Sequence, residues 1–423
     1  MPPKIQSVKG TRDLLPPDTA VWAAVEATAR RVFARYGFRE IRTPIFEETD
    51  LFVRGVGESS DIVGKEMYSF EDKGGRRITL RPENTASVCR AYVEHGMHQL
   101  PQPVRLLYIG PQFRNEKPQK GRYRQFHQIG IELLGGKGAA SDVEVLLALV
   151  AFLREIGFAD LTILINTVGD KASRARFKEQ LVSYLEPLRE KLSEESRLRL
   201  ATNPLRILDS KSLEDKALLA GAPSLEAALS DESRQHFDAV RSALDHFGIS
   251  YRVAPGLVRG LDYYTNTVFE VVSEGLGAQD AICGGGAYEG LVEELGGPPT
   301  YAVGFAIGED RLIDVLPAES AVRRNASGPL LVASGGRLAN RVGVSPLLEL
   351  VEEVRRLGWA ALEGPAKKDR LFALAESLGS TCVLFLGEEE LAAGTVVCRD
   401  LRSREQRSLP RADLMAHLQR EFS

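Results

Sequence analysis

Apolar positions at Val21, Val25, Val32, Phe33 and Tyr36 recur at helical spacing, with Asp18 placed after Pro16-Pro17 to cap the segment and Gly37 to end it. The pattern then turns extended. Phe38 to Phe46 carries Pro44, which a central sheet ladder does not tolerate, so a boundary strand is expected there. Glu66–Phe70 and Arg76–Arg81 flank Asp72-Lys-Gly-Gly and read as a hairpin. Val104–Ile109 and Gln125–Leu134 read as two more strands, joined by a polar loop. Ser141-Asp-Val-Glu144 has the form of a capping box and opens an apolar helix to about Ile156. Residues 171–247 are helix-rich and charged between two strand-like stretches, which predicts an inserted helical domain or a helical layer on the same sheet. Residues 318–328 form a polar, core-poor linker. Beyond it, strands near Leu330–Ala333 and Cys382–Leu386 alternate with helical patterns at 345–357 and 366–378, which predicts a small α/β domain with a largely parallel sheet.

At 423 residues, 43% hydrophobic and 26% charged, the chain can bury at least one large core and is expected to form two or three domains. No run of about 18 apolar residues suggests a membrane helix. Met1-Pro-Pro-Lys-Ile-Gln-Ser lacks the apolar segment of a secretory signal, so a cytoplasmic protein is expected. Cys89, Cys283, Cys382 and Cys398 fall without metal-site or disulfide spacing and are expected as small buried residues.

Charge changes this picture at one place. From Arg114 to Arg124 there are five Lys/Arg and one Glu, in a chain of net charge -4. Such concentration points to phosphate groups or nucleic acid at one site, although charge alone also fits a solvated hairpin tip. Thr79-Leu-Arg-Pro-Glu83-Asn-Thr85-Ala leaves a strand and enters a helix, where Glu83 and Thr85 can cap the first turn or accept the donors of a substrate ammonium. Gln128 and Glu132 lie four apart on a strand and so share one face, where a carboxylate can accept from an imidazole N–H. Arg259-Gly-Leu-Asp-Tyr263-Tyr264 is either a core edge with a snorkelling cation or part of a site. Cys283-Gly-Gly-Gly286-Ala-Tyr288 reads as a phosphate-cradling turn or a tight strand-to-helix connection.

Phe113-Arg114-Asn-Glu116 resembles the second signature motif of class II aminoacyl-tRNA synthetases, and the run on to Gln128 resembles histidyl-tRNA synthetases. The resemblance extends to the Glu83 and Arg259 blocks and to Val8–Pro16 at the start. Phe38–Phe46 with the helix before it is similar to the first class II motif, and Gly304–Arg311 to the third. It implies an α+β fold with a mixed, mainly antiparallel catalytic sheet in residues 1–325, an inserted helical domain at 171–247 and an anticodon-binding α/β domain at 329–423, in a homodimer. The implied reaction joins L-histidine to tRNA(His) through histidyl-adenylate, with ATP as substrate and Mg²⁺ at the pyrophosphate. Arg114 and Arg259 would hold the α-phosphate as catalytic residues. Glu83, Asn84, Thr85, Gln128, Glu132, Tyr263 and Tyr264 would bind histidine together with those arginines. Glu116, Arg122, Tyr123, Phe126 and Arg311 would complete the ATP site with Arg114. Gln119 and Lys120 at the loop tip would meet the tRNA acceptor end, Gln119 its extra guanosine, and Lys367 and Lys368 the tRNA backbone.

Two segments depart from the family pattern. Ala287 and Glu289 stand where Gly-Gly-Gly-Arg-Tyr-Asp is usual, and Gly364-Pro-Ala-Lys367-Lys368-Asp-Arg370 replaces a Gly-Arg-Ser-Leu-Lys-Lys-Gln-like anticodon segment. The histidine-binding regulatory subunit of ATP phosphoribosyltransferase resembles the same catalytic domain without being an enzyme. Such paralogues usually lose the basic loop, the Arg259-type arginine or the C-terminal domain, and this chain has all three. A synthetase-like RNA-binding module without catalysis is the weaker third reading.

Overall fold

Eight strands form the main sheet, in the order Arg39–Glu40, Val104–Phe113, Gln125–Leu134, Ala302–Gly308, Ala281–Tyr288, Tyr264–Val272, Thr162–Thr167 and Tyr251–Val253. The inner six pair antiparallel, and the short strand at each edge joins in parallel. The structure is a computed structural model and describes residues 4–422 apart from 58–59, 61, 118–120, 160–161, 211, 259–262, 273–280, 326–327 and 336–344. It divides into two units, Met1–Arg12 with Thr28–Leu316 and Asp13–Ala27 with Pro317–Ser423.

Register gives the sheet two unlike faces. Leu107, Ile131, Phe305, Gly285 and Phe269 form one cross-strand row. Phe305 there meets Phe33 of helix Asp18–Arg35 at 5.9 Å between ring centroids, and Phe33 meets Phe152 of helix Ala139–Glu155 at 5.2 Å. This is the apolar core face. The neighbouring row, Leu106, Glu132, Gly304 and Gly286, is small and polar in its middle. Helix Thr85–Glu94 lies over that side through Val88, Cys89 and Tyr92.

The glycine run at 284–286 is neither a phosphate turn nor a strand-to-helix connection, because it sits inside the strand Ala281–Tyr288. The reason is space: a Cβ on Gly285 would lie 2.3 Å from the Gly304 carbonyl oxygen and 2.7 Å from Phe269 Cζ, and one on Gly286 would lie 2.5 Å from the Thr267 carbonyl oxygen. Helix Ala139–Glu155 also starts earlier than its capping box predicts. Ser141 Oγ instead accepts from the Lys137 N–H at 2.8 Å, while Asp142 turns inward to the Tyr301 hydroxyl and His236.

Within 171–247 both sequence alternatives find a place. Helices Lys171–Leu185 and Glu194–Thr202 bury their own small core around Phe177, Leu181 and Leu200. Asp215 ties that core's loops by accepting from the Ser193, Ser196 and Ser210 hydroxyls. Helix Asp231–His246 instead packs on helix Ala139–Glu155 and on strand Tyr264–Val272.

The second unit holds a sheet ordered Ala361–Glu363, Leu330–Ser334, Cys382–Leu386, Thr395–Asp400 and Gln406–Pro410. Its first three strands are parallel and its last two antiparallel, so it is mixed rather than largely parallel. The turn at 401–405 is too short for the crossover that a parallel partner requires. Helices Pro346–Arg356 and Leu414–Phe422 cover one face through Leu350, Val354, Leu414 and Leu418, and Leu371 and Ala375 cover the other. The polar stretch 318–328 contains helix Ala321–Asn325, with Val322 buried. All four cysteines are buried. Among the described residues no helix is long and apolar enough to cross a membrane.

Gly285→Ala must displace backbone rather than a flexible side chain. It should destabilise the fold by about 1–3 kcal/mol, the usual cost of overpacking a core, read as a lower urea midpoint at unchanged slope. An unchanged midpoint would contradict the close approach.

Candidate active site

The polar face of the sheet becomes a pocket where helix Thr85–Glu94 begins. Glu83 wraps its first turn: Oε2 accepts from the Thr85 N–H at 2.7 Å and Oε1 from the Ala86 N–H at 2.9 Å. Capping and pocket lining therefore fall to one carboxylate. The Thr85 hydroxyl donates onward to Glu132 Oε1 at 2.8 Å, and the Tyr288 hydroxyl donates to Glu132 Oε2 at 2.8 Å. Glu132 is 1% exposed, and a Cβ on Gly304 would stand 1.9 Å from its Oε2, so glycine is what admits the carboxylate.

Burial pushes the Glu132 carboxyl up to about 8, against the pull of the Thr85 and Tyr288 hydroxyls and with a further push from Glu83. Burial raises Glu83 too, while the Ala86 and Thr85 N–H groups and Arg114 draw it back. Two acids in one dry pocket favour a ligand that brings positive charge and N–H donors. Tyr263 and Tyr264 line it with ring centroids 4.7 Å apart, and Tyr263 meets Tyr288 at 5.4 Å. The buried Gln128 Oε1 has no hydrogen-bond partner among the described residues. Asn84 Oδ1 accepts from Thr43 Oγ1 at 2.7 Å, so that oxygen is already engaged within the protein.

The other end of the hairpin is cationic. Arg114 donates from Nε to the Pro82 carbonyl at 2.9 Å and lies over the Phe126 ring at 5.2 Å. Glu116 takes Arg122 at 2.6 Å and stands 3.9 Å from Arg114. Arg311 is no solvent-facing helix cation: it donates to the Gly121 carbonyl at 3.2 Å and the Ala281 carbonyl at 2.9 Å. Burial, then Arg122 and Arg114, hold its guanidinium below the usual value, opposed by Glu116 and Glu270. Three guanidinium groups thus converge here, interleaved with the Glu116 and Asp314 carboxylates. Tyr123 is clamped by Arg12, 4.2 Å above its ring, and Arg12 pairs with Asp310 at 2.7 Å. The segment around Val8–Pro16 thereby fastens the returning strand to helix Glu309–Asp314, since Asp310 also accepts from the His127 N–H.

Arg259, Gln119 and Lys120 lie outside the described residues. Lys367 and Lys368 are exposed at the start of helix Lys368–Leu378 in the second unit. Residues that the sequence reading passed over are Tyr288, Tyr108, Arg81, Arg12 and Asp310. Arg81 is buried and stitches three segments by donating to Pro111 and Thr43 carbonyls and to the Thr43 hydroxyl. A buried arginine one residue before Pro82 in the Glu83 block was the available signal.

The family model described as Histidyl-tRNA synthetase matches residues 10–312. The chain belongs to the histidyl-tRNA synthetase family. A second model, Anticodon binding domain, matches 348–421. A histidine–tRNA ligase of Synechococcus elongatus is 47% identical over 414 residues, covering 97% of this chain and 94% of that protein. The apo histidyl-tRNA synthetase of S. aureus has a similar structure, with TM-score 0.73 at 34% identity over 98% of this chain and 99% of that one. A Bacillus halodurans protein described as an ATP phosphoribosyltransferase regulatory subunit/histidyl-tRNA synthetase shares the fold at TM-score 0.63 and 22% identity, covering 92% of this chain and 99% of that one.

Glu132 gives a pH signature. Its folded value near 8 exceeds the roughly 4.3 of an unfolded chain, so its contribution to stability is full below the lower value and is lost as pH rises through the upper one. Glu132→Gln fixes the neutral form. Its melting temperature relative to wild type should climb between pH 5 and pH 8 and level off above, and parallel curves would contradict the neutral carboxyl.

Proposed function

We propose that the chain is a histidine–tRNA ligase that activates L-histidine with ATP and passes the histidyl group to the terminal ribose of tRNA(His). The observation that carries this is the pair of buried carboxylates, Glu83 and Glu132, bridged by Thr85. A histidine brings an ammonium for Glu83, Thr85 and Gln128, and a ring N–H for Glu132 beside Tyr263 and Tyr264. Its carboxylate then faces Arg114.

In the first step that carboxylate oxygen attacks the α-phosphorus and the bond to the β-phosphate bridge breaks, releasing pyrophosphate. Arg114, with Arg259, neutralises charge that builds on the α-phosphate, and its fixed position requires no reorganisation at that moment. Phe126 offers a face for the adenine, and Arg122 and Arg311 hold the phosphates. Mg²⁺ would enter on the triphosphate and screen its charge, and Glu116 or Glu270, both of which act electrostatically on Arg311, would supply a carboxylate to it. In the second step a ribose hydroxyl attacks the histidyl carbonyl and AMP leaves.

Gln119 and Lys120 suit the tRNA acceptor end, Gln119 its extra guanosine. Residues 329–423 suit the anticodon: Lys367 and Lys368 sit at a helix N-terminus, against the dipole, which an anionic partner would compensate. A homodimer is supported by Phe46 and Phe70, 56% and 49% exposed on the small sheet Phe46–Glu48, Arg77–Leu80 and Tyr68–Glu71. The cytoplasm, with its tRNA pool, is the fitting compartment.

Histidine-dependent ATP–pyrophosphate exchange tests the reading. Signal is expected with histidine and with no other amino acid, and Arg114→Ala should lower it by roughly 10²–10³-fold. Histidine binding without exchange would show a regulatory protein instead.

A further inference from the structure

We propose that Cys382 and Cys398 form a modification site outside the catalytic unit, a thiol pair that a hydroperoxide oxidises to a reversible intramolecular disulfide. In the second unit Cys382 lies on strand Cys382–Leu386 opposite Asp400, and Leu384 lies opposite Cys398 on strand Thr395–Asp400. The two cysteines are therefore diagonal neighbours on one face. Their sulfurs are 3.1 Å apart, against about 2.05 Å in a disulfide, so closure by about 1 Å makes the bond. They stand 16 positions apart in sequence, and only the strand register brings them together.

The two thiols differ in character. The contact with Cys382, then Arg407, favours the Cys398 thiolate and brings it below the usual thiol range, against burial, Asp400 and Glu421. Arg407 stands directly opposite Cys398 on the edge strand Gln406–Pro410. The same sulfur contact, with burial and Asp400, pushes the Cys382 thiol well above its range, so the proton stays there. A thiolate beside a protonated thiol is the arrangement of an attacking and a resolving cysteine. Cys398 is 3% exposed, and in the plane of the sheet one edge strand, with Gln406, Arg407 and Ser408 exposed, separates it from solvent. Opening of that edge admits a molecule little larger than water.

The Cys398 thiolate attacks one peroxide oxygen; the O–O bond breaks, the sulfur becomes a sulfenic acid, and the departing hydroxide takes up the proton that the thiol had released. The Cys382 sulfur then attacks that of Cys398. The S–S bond forms as the S–O bond breaks, and the hydroxyl leaves as water with the Cys382 proton. Two thiols lose two hydrogens and one hydrogen peroxide is reduced to two waters. Exchange with a dithiol restores both thiols and oxidises that reductant. The bond would fasten strand Thr395–Asp400 to the parallel strands and close a loop that carries helix Glu388–Ala393.

Reduced full-length protein would be exposed to a modest molar excess of hydrogen peroxide and its remaining thiols blocked with iodoacetamide in denaturant. A Glu-specific protease then cuts at Glu388–Glu390, between the two cysteines. A mass loss of two hydrogens is expected, with the Cys382 and Cys398 peptides joined within one chain and full reversal by dithiothreitol. Cys89 and Cys283, which belong to the first unit, should remain as blocked thiols. Cys382→Ala should leave Cys398 as a sulfenic acid that dimedone traps, whereas Cys398→Ala should leave Cys382 reduced. Four blocked thiols after peroxide, a link between two chains, Cys398 carried on to sulfinic acid in the wild type, or oxidation of Cys89 and Cys283 at the same rate would each overturn the proposal. The wild-type peptide map decides this whether or not either variant folds.

Discussion

Glu132 sits where water does not reach, and much of the catalytic unit is arranged around keeping it there. A buried carboxyl needs donors and room. The Thr85 and Tyr288 hydroxyls supply the donors, and the missing side chain of Gly304 supplies the room. Thr85 can reach because Glu83 fixes the helix start, and Tyr288 can reach because the strand before it runs without side chains at 284–286. Loss of any one of these features strands a polar group or fills the trough.

The same two strands would serve both halves of the proposed chemistry. Their shared ladder runs from Val104 and Leu134 at the amino-acid end to Phe113 and Gln125, where Arg114 and Arg124 begin the basic loop. Small and polar residues occupy one side and large apolar ones the other, so the core that stabilises the sheet and the proposed substrate trough are two faces of one alternation. The cationic end is secured separately, by Arg311 on the Gly121 carbonyl and by Arg12 and Asp310 across the returning strand.

Periodic segments were legible from the residues. The hairpin strands, helix Pro346–Arg356 and strand Cys382–Leu386 follow directly from apolar spacing. The glycine run was misread because glycine punctuates turns far more often than it lines a strand, and only the bulk of Phe269 and Phe305 across the sheet explains it. Asp13–Ala27 belongs to the second unit although it interrupts the first in sequence, a long-range choice that local pattern does not encode. The candidate site was legible wherever its residues sit in a continuous motif, as Glu83 and Thr85 do. Tyr288 was not, since it looks like an ordinary strand aromatic until the fold brings its hydroxyl to Glu132, two strands away.

The most direct test of this account is a crystal structure of the protein with histidine bound. The ring should lie against Tyr263 and Tyr264 with its donor nitrogen about 2.7–3.2 Å from a carboxyl oxygen of Glu132, and the ammonium should lie at Glu83 and Thr85. Histidine bound elsewhere, with Glu83 and Glu132 contacting only their present protein donors, would contradict it.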